Sequence, residues 1–242
     1  MKRVFAGCVF SLLLLMAMVA QATTVVNVSF APPFGNLGSA THTYGGLITA
    51  HGYYFDGTSW VDANLWGRGG TNDWGVGVCN PVEFSTCVSG GGDVNELDNA
   101  GNNELIRLTL PNGWDWVSVQ LSSLDNNGKT DPALWERGQL EFNSSGDPND
   151  PTSTICTFAA GGSFSCTVVG GTGIEPVLGI SPADRQDRYL FFRPFDWTGG
   201  DKTNNDFLVK GATIITPEPA SMMLLGTGLL AIIGGVRRKL RG

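Results

Sequence analysis

The sequence predicts an all-β protein, a β-sandwich of the jelly-roll type, and three observations lead to this fold class. Short apolar runs recur along residues 23–216, separated by clusters of Gly, Asn, Asp, Ser and Pro. Several runs alternate with a period of two: Ile106, Leu108 and Leu110 fall on one side of a strand and Arg107 on the other. No long segment with the 3.6-residue period of a helix lies between the two ends of the chain.

The predicted strands are short runs rich in β-branched and aromatic residues. Polar turn sequences such as 125–128 and 146–151 separate them. A period of two places Val117, Val119 and Leu121 on one face of their strand. In chain order the predicted strands are 25–30, 47–55, 60–66, 74–78, 104–110, 116–124, 139–142, 155–158, 164–169, 189–193 and 207–215.

Residues 1–22 have the composition of a secretory signal peptide. A basic pair, Lys2 and Arg3, precedes the apolar run 4–19, and the tripeptide Ala-Gln-Ala at 20–22 has the small residues of a cleavage site. We therefore expect an exported protein.

The last 26 residues, 217–242, contain three parts in order. A Pro-Glu-Pro break comes first, and each proline disfavours helix in the residue before it. The run 220–236 follows, 17 residues without Asp, Glu, Lys or Arg, which is at the short limit of a transmembrane helix. A basic end then stays cytoplasmic by the positive-inside rule. The break is Pro217, Glu218 and Pro219, and the basic residues are Arg237, Arg238, Lys239 and Arg241.

This order of parts resembles the PEP-CTERM sorting signal of bacterial surface proteins. The resemblance implies that an exosortase-like membrane peptidase reads 217–242 and that the protein reaches the cell envelope or extracellular surface after a transient membrane stage. It also implies an association with extracellular polysaccharide, as in a biofilm matrix, but it does not say what the protein does there. A permanent C-terminal anchor is the alternative, and a lipid-anchor signal is a weaker one because such tails end apolar.

The remaining segment, 23–216, has 194 residues and suits one domain with a sizeable core. It holds nine basic and 21 acidic residues, so its formal net charge is −12. A surface that acidic disfavours nucleic acid and anionic lipid as partners, and it suits divalent cations or simple solubility.

Four cysteines lie in this segment, and an even number in an exported protein favours disulfides. The local pairing, Cys79 with Cys87 and Cys156 with Cys166, is the simplest of three connectivities. Zinc is the rival interpretation, but the spacings match no C-x-x-C pattern.

Acidic turns are candidate calcium sites, because calcium takes six to eight oxygen ligands in proteins. In the turn 93–104, Asp93, Asn95 and Glu104 occupy positions 1, 3 and 12 of an EF-hand loop. Leu97 and Asp98 occupy positions 5 and 6, where the loop needs a ligand and a glycine. Asp and Asn also favour turns without any metal. The candidate ligands are Asp93, Asn95, Asp98 and Glu104.

Aromatic residues suggest a carbohydrate site as an alternative. Trp114 and Trp116 are two residues apart and would share a face of one strand, where an indole can stack on a sugar. Catalytic motifs are sparse: His42 and His51 are the two histidines, and no Gly-x-Ser-x-Gly sequence occurs. We therefore expect no enzyme and no resident cofactor other than calcium. A structural matrix protein is the first hypothesis, a carbohydrate- or calcium-binding module the second, and a glycan-active enzyme the third.

Overall fold

The computed structural model describes residues 23–31, 34–69, 74–81, 96–98, 102–124, 136–150, 154–159, 163–164, 177–195 and 205–216. These residues form strands and no helix, which confirms the predicted all-β sandwich. In chain order the strands are β1 (Val25–Ser29), β2 (Gly35–Asn36), β3 (Thr41–Tyr44), β4 (Ile48–Phe55), β5 (Trp60–Asp62), β6 (Asn64–Arg68), β7 (Gly75–Cys79), β8 (Glu104–Thr109), β9 (Asp115–Ser122), β10 (Arg137–Asn143), β11 (Thr154–Ala159), β12 (Ser163–Phe164), β13 (Val177–Gly179), β14 (Tyr189–Pro194) and β15 (Leu208–Ile215).

The strands form two antiparallel sheets. The first sheet has the order β13-β9-β15-β7-β6-β2, and β1 also pairs with β15. The second sheet has the order β12-β11-β10-β14-β8-β4-β3, and β5 pairs with β4.

The core lies between the inner faces of the two sheets. Ile106 and Leu108 of β8 in the second sheet share one apolar cluster with Val119 and Leu121 of β9 in the first, and all four are fully buried. The predicted inward face of β8 is therefore confirmed. Burial of each such side chain contributes about 1.5–3 kcal/mol.

The run 60–66 is two strands, so the prediction of one strand is wrong. Ala63 separates them: β5 pairs in the second sheet and β6 in the first. The chain crosses the sandwich there, where the Ala63 amide donates to the carbonyl of Gly52 at 3.0 Å. A Cβ on Gly52 would lie 2.8 Å from the Ala63 oxygen, so this close approach requires glycine.

The pairing of β9 with β15 contains two bulges that reassign side chains between faces. On β9, Ser118 lies opposite Thr213 and Trp116 opposite Ile214, so Val117 is an extra residue. Trp116, rather than Val117, therefore joins the inner face, and the prediction for Val117 is wrong. The second bulge lies on β15.

Contacts divide the chain into two compact units. The sandwich, 25–215, is one of them. The other contains both ends of the chain, of which only residues 23–24 and 216 are described. Within this second unit, the amide and carbonyl of Thr24 bond to the hydroxyl and amide of Thr216 at 3.0 and 3.1 Å.

Candidate functional site

A polar network covers part of the outer face of the second sheet, with His51 of β4 at its centre. Nε2 of His51 lies 2.8 Å from Oδ1 of Asp62, and Nδ1 lies 3.0 Å from the Tyr53 hydroxyl and 3.1 Å from Nη2 of Arg107. A guanidinium only donates, so Nδ1 accepts and His51 carries its proton on Nε2, which donates to Asp62. The Arg107 guanidinium lies between the rings of Tyr53 and Tyr189, 5.4 and 5.6 Å from their centroids.

Burial lowers the pKa of His51, and the charge of Arg107 lowers it further, whereas the hydrogen bond and charge of Asp62 oppose the shift. Burial also raises the pKa of Tyr53 to about 12, so its phenol stays neutral. The geometry agrees with a lowered pKa for His51, because a proton on Nδ1 would face the Arg107 donor.

His51 therefore makes the fold less stable in acid. Below the ordinary histidine pKa, near 6.5, the unfolded chain takes up a proton that the folded chain binds less readily, so the free energy of unfolding falls as the pH drops. In His51→Gln, which keeps a donor and an acceptor, this fall between about pH 7 and pH 5 should be smaller than in the wild type. Urea unfolding at each pH measures it, with His42→Gln as the control. Equal pH slopes in the wild type and His51→Gln would contradict the assignment.

A buried ion pair occupies the same sheet. Glu141 of β10 and Arg193 of β14 contact each other through Oε2 and Nη2, and their side chains are 4% and 5% exposed. Nη2 also donates to the carbonyl of Pro148 at 2.8 Å, and the guanidinium lies 5.7 Å from the ring centroid of Trp60. Burial lowers the pKa of Arg193, and Glu141 opposes that shift. The pair therefore connects β10, β14 and the 144–150 turn.

The acidic residues predicted to bind calcium are only partly described. Asp98 and Glu104 lie together and are 3% and 1% exposed. The Asp98 amide donates to Oε2 of Glu104 at 3.2 Å, and the Glu104 amide donates to the Asp98 carbonyl at 3.3 Å. Asp93 and Asn95 lie outside the described residues. Within the described ranges no group of three or more His, Cys, Asp or Glu side chains is arranged to hold a metal, so calcium stays a prediction.

The carboxylate of Glu96, close in sequence to Asp98, is buried and bonded to neighbouring side chains. It is 1% exposed, contacts Nη1 of Arg68, and accepts a bond from the Ser123 hydroxyl at 2.8 Å. Ser123 has a φ of +65°, which is uncommon for a residue other than glycine.

The tryptophans predicted to stack on sugar do not form an exposed pair. Trp116 is fully buried, and its Nε1 donates to the carbonyl of Asp187 at 2.8 Å. Trp114 precedes β9 and packs, half-buried, against the core. The bulge at Val117 turns Trp116 inward, so the prediction of a sugar-stacking Trp116 is wrong.

Two of the four cysteines of 23–216 lie in described strands. Cys79 ends β7 and Cys156 lies in β11, and they are 1% and 4% exposed. Neither is a titrating thiol, because each is disulfide-bonded. Cys87 and Cys166 lie outside the described residues, so the pairing of Cys79 with Cys87 and of Cys156 with Cys166 stays a prediction.

The C-terminal segment follows the sandwich directly. β15 ends at Ile215, and Thr216 is the last described residue, so 217–242 with its predicted helix and basic end lies outside the described residues. In the part of the chain that is described, no helix is long and apolar enough to span a membrane.

A family model for the PEP-CTERM protein-sorting motif matches residues 216–239. The chain carries a PEP-CTERM sorting motif. The match covers the Pro-Glu-Pro break, the apolar run and Arg237, Arg238 and Lys239, and it ends before Arg241. No curated protein matches the chain.

The PEP-CTERM motif indicates an exported protein that passes through the membrane to the surface, with exosortase processing as its sorting step. Its match begins one residue after β15 ends.

Sequence composition was sufficient to find this motif. The His51 network was missed, because the spacing of His51, Asp62 and Arg107 in the sequence does not reveal that β4 pairs with both β5 and β8.

Proposed function

We propose that this PEP-CTERM protein is a structural component of the extracellular matrix or cell surface, without catalysis of its own. The position of the motif carries the proposal. Its match begins at residue 216 and β15 ends at Ile215, so cleavage at the Pro-Glu-Pro sequence leaves every strand of the sandwich intact. The protein is then a folded domain followed by a sorting segment that the peptidase can remove.

The described charged side chains support a structural role. Glu141 contacts Arg193 and Glu96 contacts Arg68, and each pair joins different parts of the chain. His51 has a hydrogen-bonding partner at both ring nitrogens. These groups serve packing and strand connection, which is what a stable surface domain requires.

Processing follows from the chemistry of the tail. The apolar run 220–236 holds the chain at the bilayer and the basic end stops transfer. Proline disfavours helix in the residue before it, and a segment that is not helical is accessible to a peptidase. After cleavage, the acidic domain leaves the bilayer and joins the matrix.

Replacing Pro217, Glu218 and Pro219 together by alanine should block this release. In cells with an exosortase, the wild-type domain should be found in the extracted matrix without its C-terminal segment. The triple variant should remain full-length in the membrane fraction. Fractionation followed by mass spectrometry of the C-terminal peptide measures both outcomes.

Pro182→Ala, at an exposed turn outside the motif, is the matched control and should be processed like the wild type. Wild-type protein with Gly242 still present would make the tail a permanent anchor. A cleaved domain that appears only in the medium, and never in the matrix, would contradict the structural role while leaving sorting intact.

A further inference from the structure

A cavity of about 220 Å³ lies on the outer face of the first sheet. Its walls come from four strands and from Trp74, which precedes β7. On β9 the core residue Val119 lies between the lining residues Ser118 and Gln120, and the buried residues Val28 and Ala212 form part of the lining beside their polar neighbours. The polar lining side chains are Asn27, Ser29, Ser118, Gln120, Lys210 and Thr213.

The second bulge of the β9–β15 pair orders one wall of this cavity. Val209 lies opposite Leu121 and Gly211 opposite Gln120, so Lys210 is the extra residue. Its ammonium lies 4.4 Å from the ring centroid of Trp74, and Lys210 is only 7% exposed. This cation–π contact fixes the indole at the edge of the cavity.

Gly211 forms part of the floor and permits β1 to approach closely. A Cβ on Gly211 would lie 2.8 Å from the carbonyl oxygen of Val28. The backbone groups below the cavity take part in strand pairing, since Ser29 lies opposite Gly211 and Gly211 opposite Gln120. Recognition in the cavity must therefore use side chains, which excludes the addition of a peptide strand at this place.

The polar side chains supply both donors and acceptors. The Thr213 hydroxyl donates to Oδ1 of Asn27 at 2.7 Å, which orients the Asn27 amide. Within the described residues the Gln120 amide and the Ser118 hydroxyl form no hydrogen bond with the protein, and both are half-buried. No carboxylate is among the described lining residues.

From this arrangement we infer that the cavity binds a saccharide. An indole edge, amides and hydroxyls around a shallow floor match the apolar face and the hydroxyl groups of a sugar ring. The volume is below the roughly 300–1,000 Å³ of sites for drug-sized ligands, so the cavity accommodates one ring of a longer glycan. Gln120 and Ser118 bind ring hydroxyls, Trp74 stacks on the ring, and Lys210 positions the indole. The inference goes beyond the proposed structural role and does not depend on sorting.

The test uses the full-length protein in a detergent without a sugar headgroup. A glycan array of neutral and acidic oligosaccharides should give binding, and titration calorimetry with the strongest array ligand should give a Kd. Trp74→Ala should weaken that Kd about tenfold or more. Gln120→Ala should weaken it by about two- to tenfold. Phe34→Ala, at an exposed aromatic residue that does not line the cavity, should leave the Kd unchanged.

Circular dichroism and the melting temperature check that each variant is folded. If Trp74→Ala does not fold, the Kd of Gln120→Ala alone tests the inference. An array without any bound glycan would overturn the inference. Binding that both Trp74→Ala and Gln120→Ala retain would also overturn it, because the glycan would then bind elsewhere. Either result leaves the sorting of the protein untouched, since release to the matrix is measured by fractionation.

Discussion

Trp116→Ala is expected to lower the free energy of unfolding by about 3–5 kcal/mol. The indole is fully buried between the sheets, and its Nε1 donates to the carbonyl of Asp187, so truncation leaves both a cavity and an unpaired carbonyl. Losses of this size remove much of the stability of a typical domain.

Urea unfolding of the purified protein measures the effect. Trp116→Phe should cost less than alanine, since it keeps most of the aromatic volume but loses the hydrogen bond. Trp114→Ala, at a half-buried indole, is the matched control and should also cost less. A Trp116→Ala protein with wild-type stability would show that the indole is not part of the core and would restore it as a candidate for sugar stacking.

Glu141→Ala is expected to cost about 3–5 kcal/mol, because it removes the carboxylate that contacts the buried Arg193 guanidinium. The cost comes from desolvation: both side chains are at most 5% exposed, and water cannot replace the lost carboxylate. The double variant Glu141→Leu with Arg193→Met should recover most of the loss, because it buries no charge.

Equilibrium unfolding of Glu141→Leu, Arg193→Met and the double variant that combines them completes a double-mutant cycle. Asp62→Asn provides the comparison, because the Asp62 side chain is 68% exposed and its pair with His51 should contribute less than about 1 kcal/mol. Additive losses at Glu141 and Arg193 would mean that the two side chains do not interact in solution.

Most of the strands could be predicted from the sequence, but their assignment to the two sheets could not. A period-two pattern placed the inner face of β8 correctly, because alternating burial leaves a direct trace in residue types. The break at Ala63 left no such trace, since one apolar run supplies a strand to each sheet. Strands β2, β3 and β13 were not predicted: β2 and β13 have two and three residues, and β3 consists of Thr, His and Tyr.

The two bulges explain why the sequence revealed neither the burial of Trp116 on β9 nor the contact of Lys210 with Trp74. An extra residue at Val117 moves Trp116 to the core, and an extra residue at Lys210 brings its ammonium onto Trp74. Bulges depend on pairing partners distant in sequence, so a local pattern cannot show them. The sorting motif, in contrast, is local and compositional, and it was predicted in full from residues 217–242.

The pairing of β1 with β15 has a consequence for the order in which the protein is made and folded. Val25 lies opposite Ile215, so the first and last strands of the sandwich close a loop that spans nearly the whole domain. β15 also joins β9 to β7 inside the first sheet. Such distant contacts form late, because their loop-closure entropy must be overcome first. Because the protein is exported, the first sheet cannot close until residue 215 has crossed the membrane, and the sorting segment follows it directly in the chain.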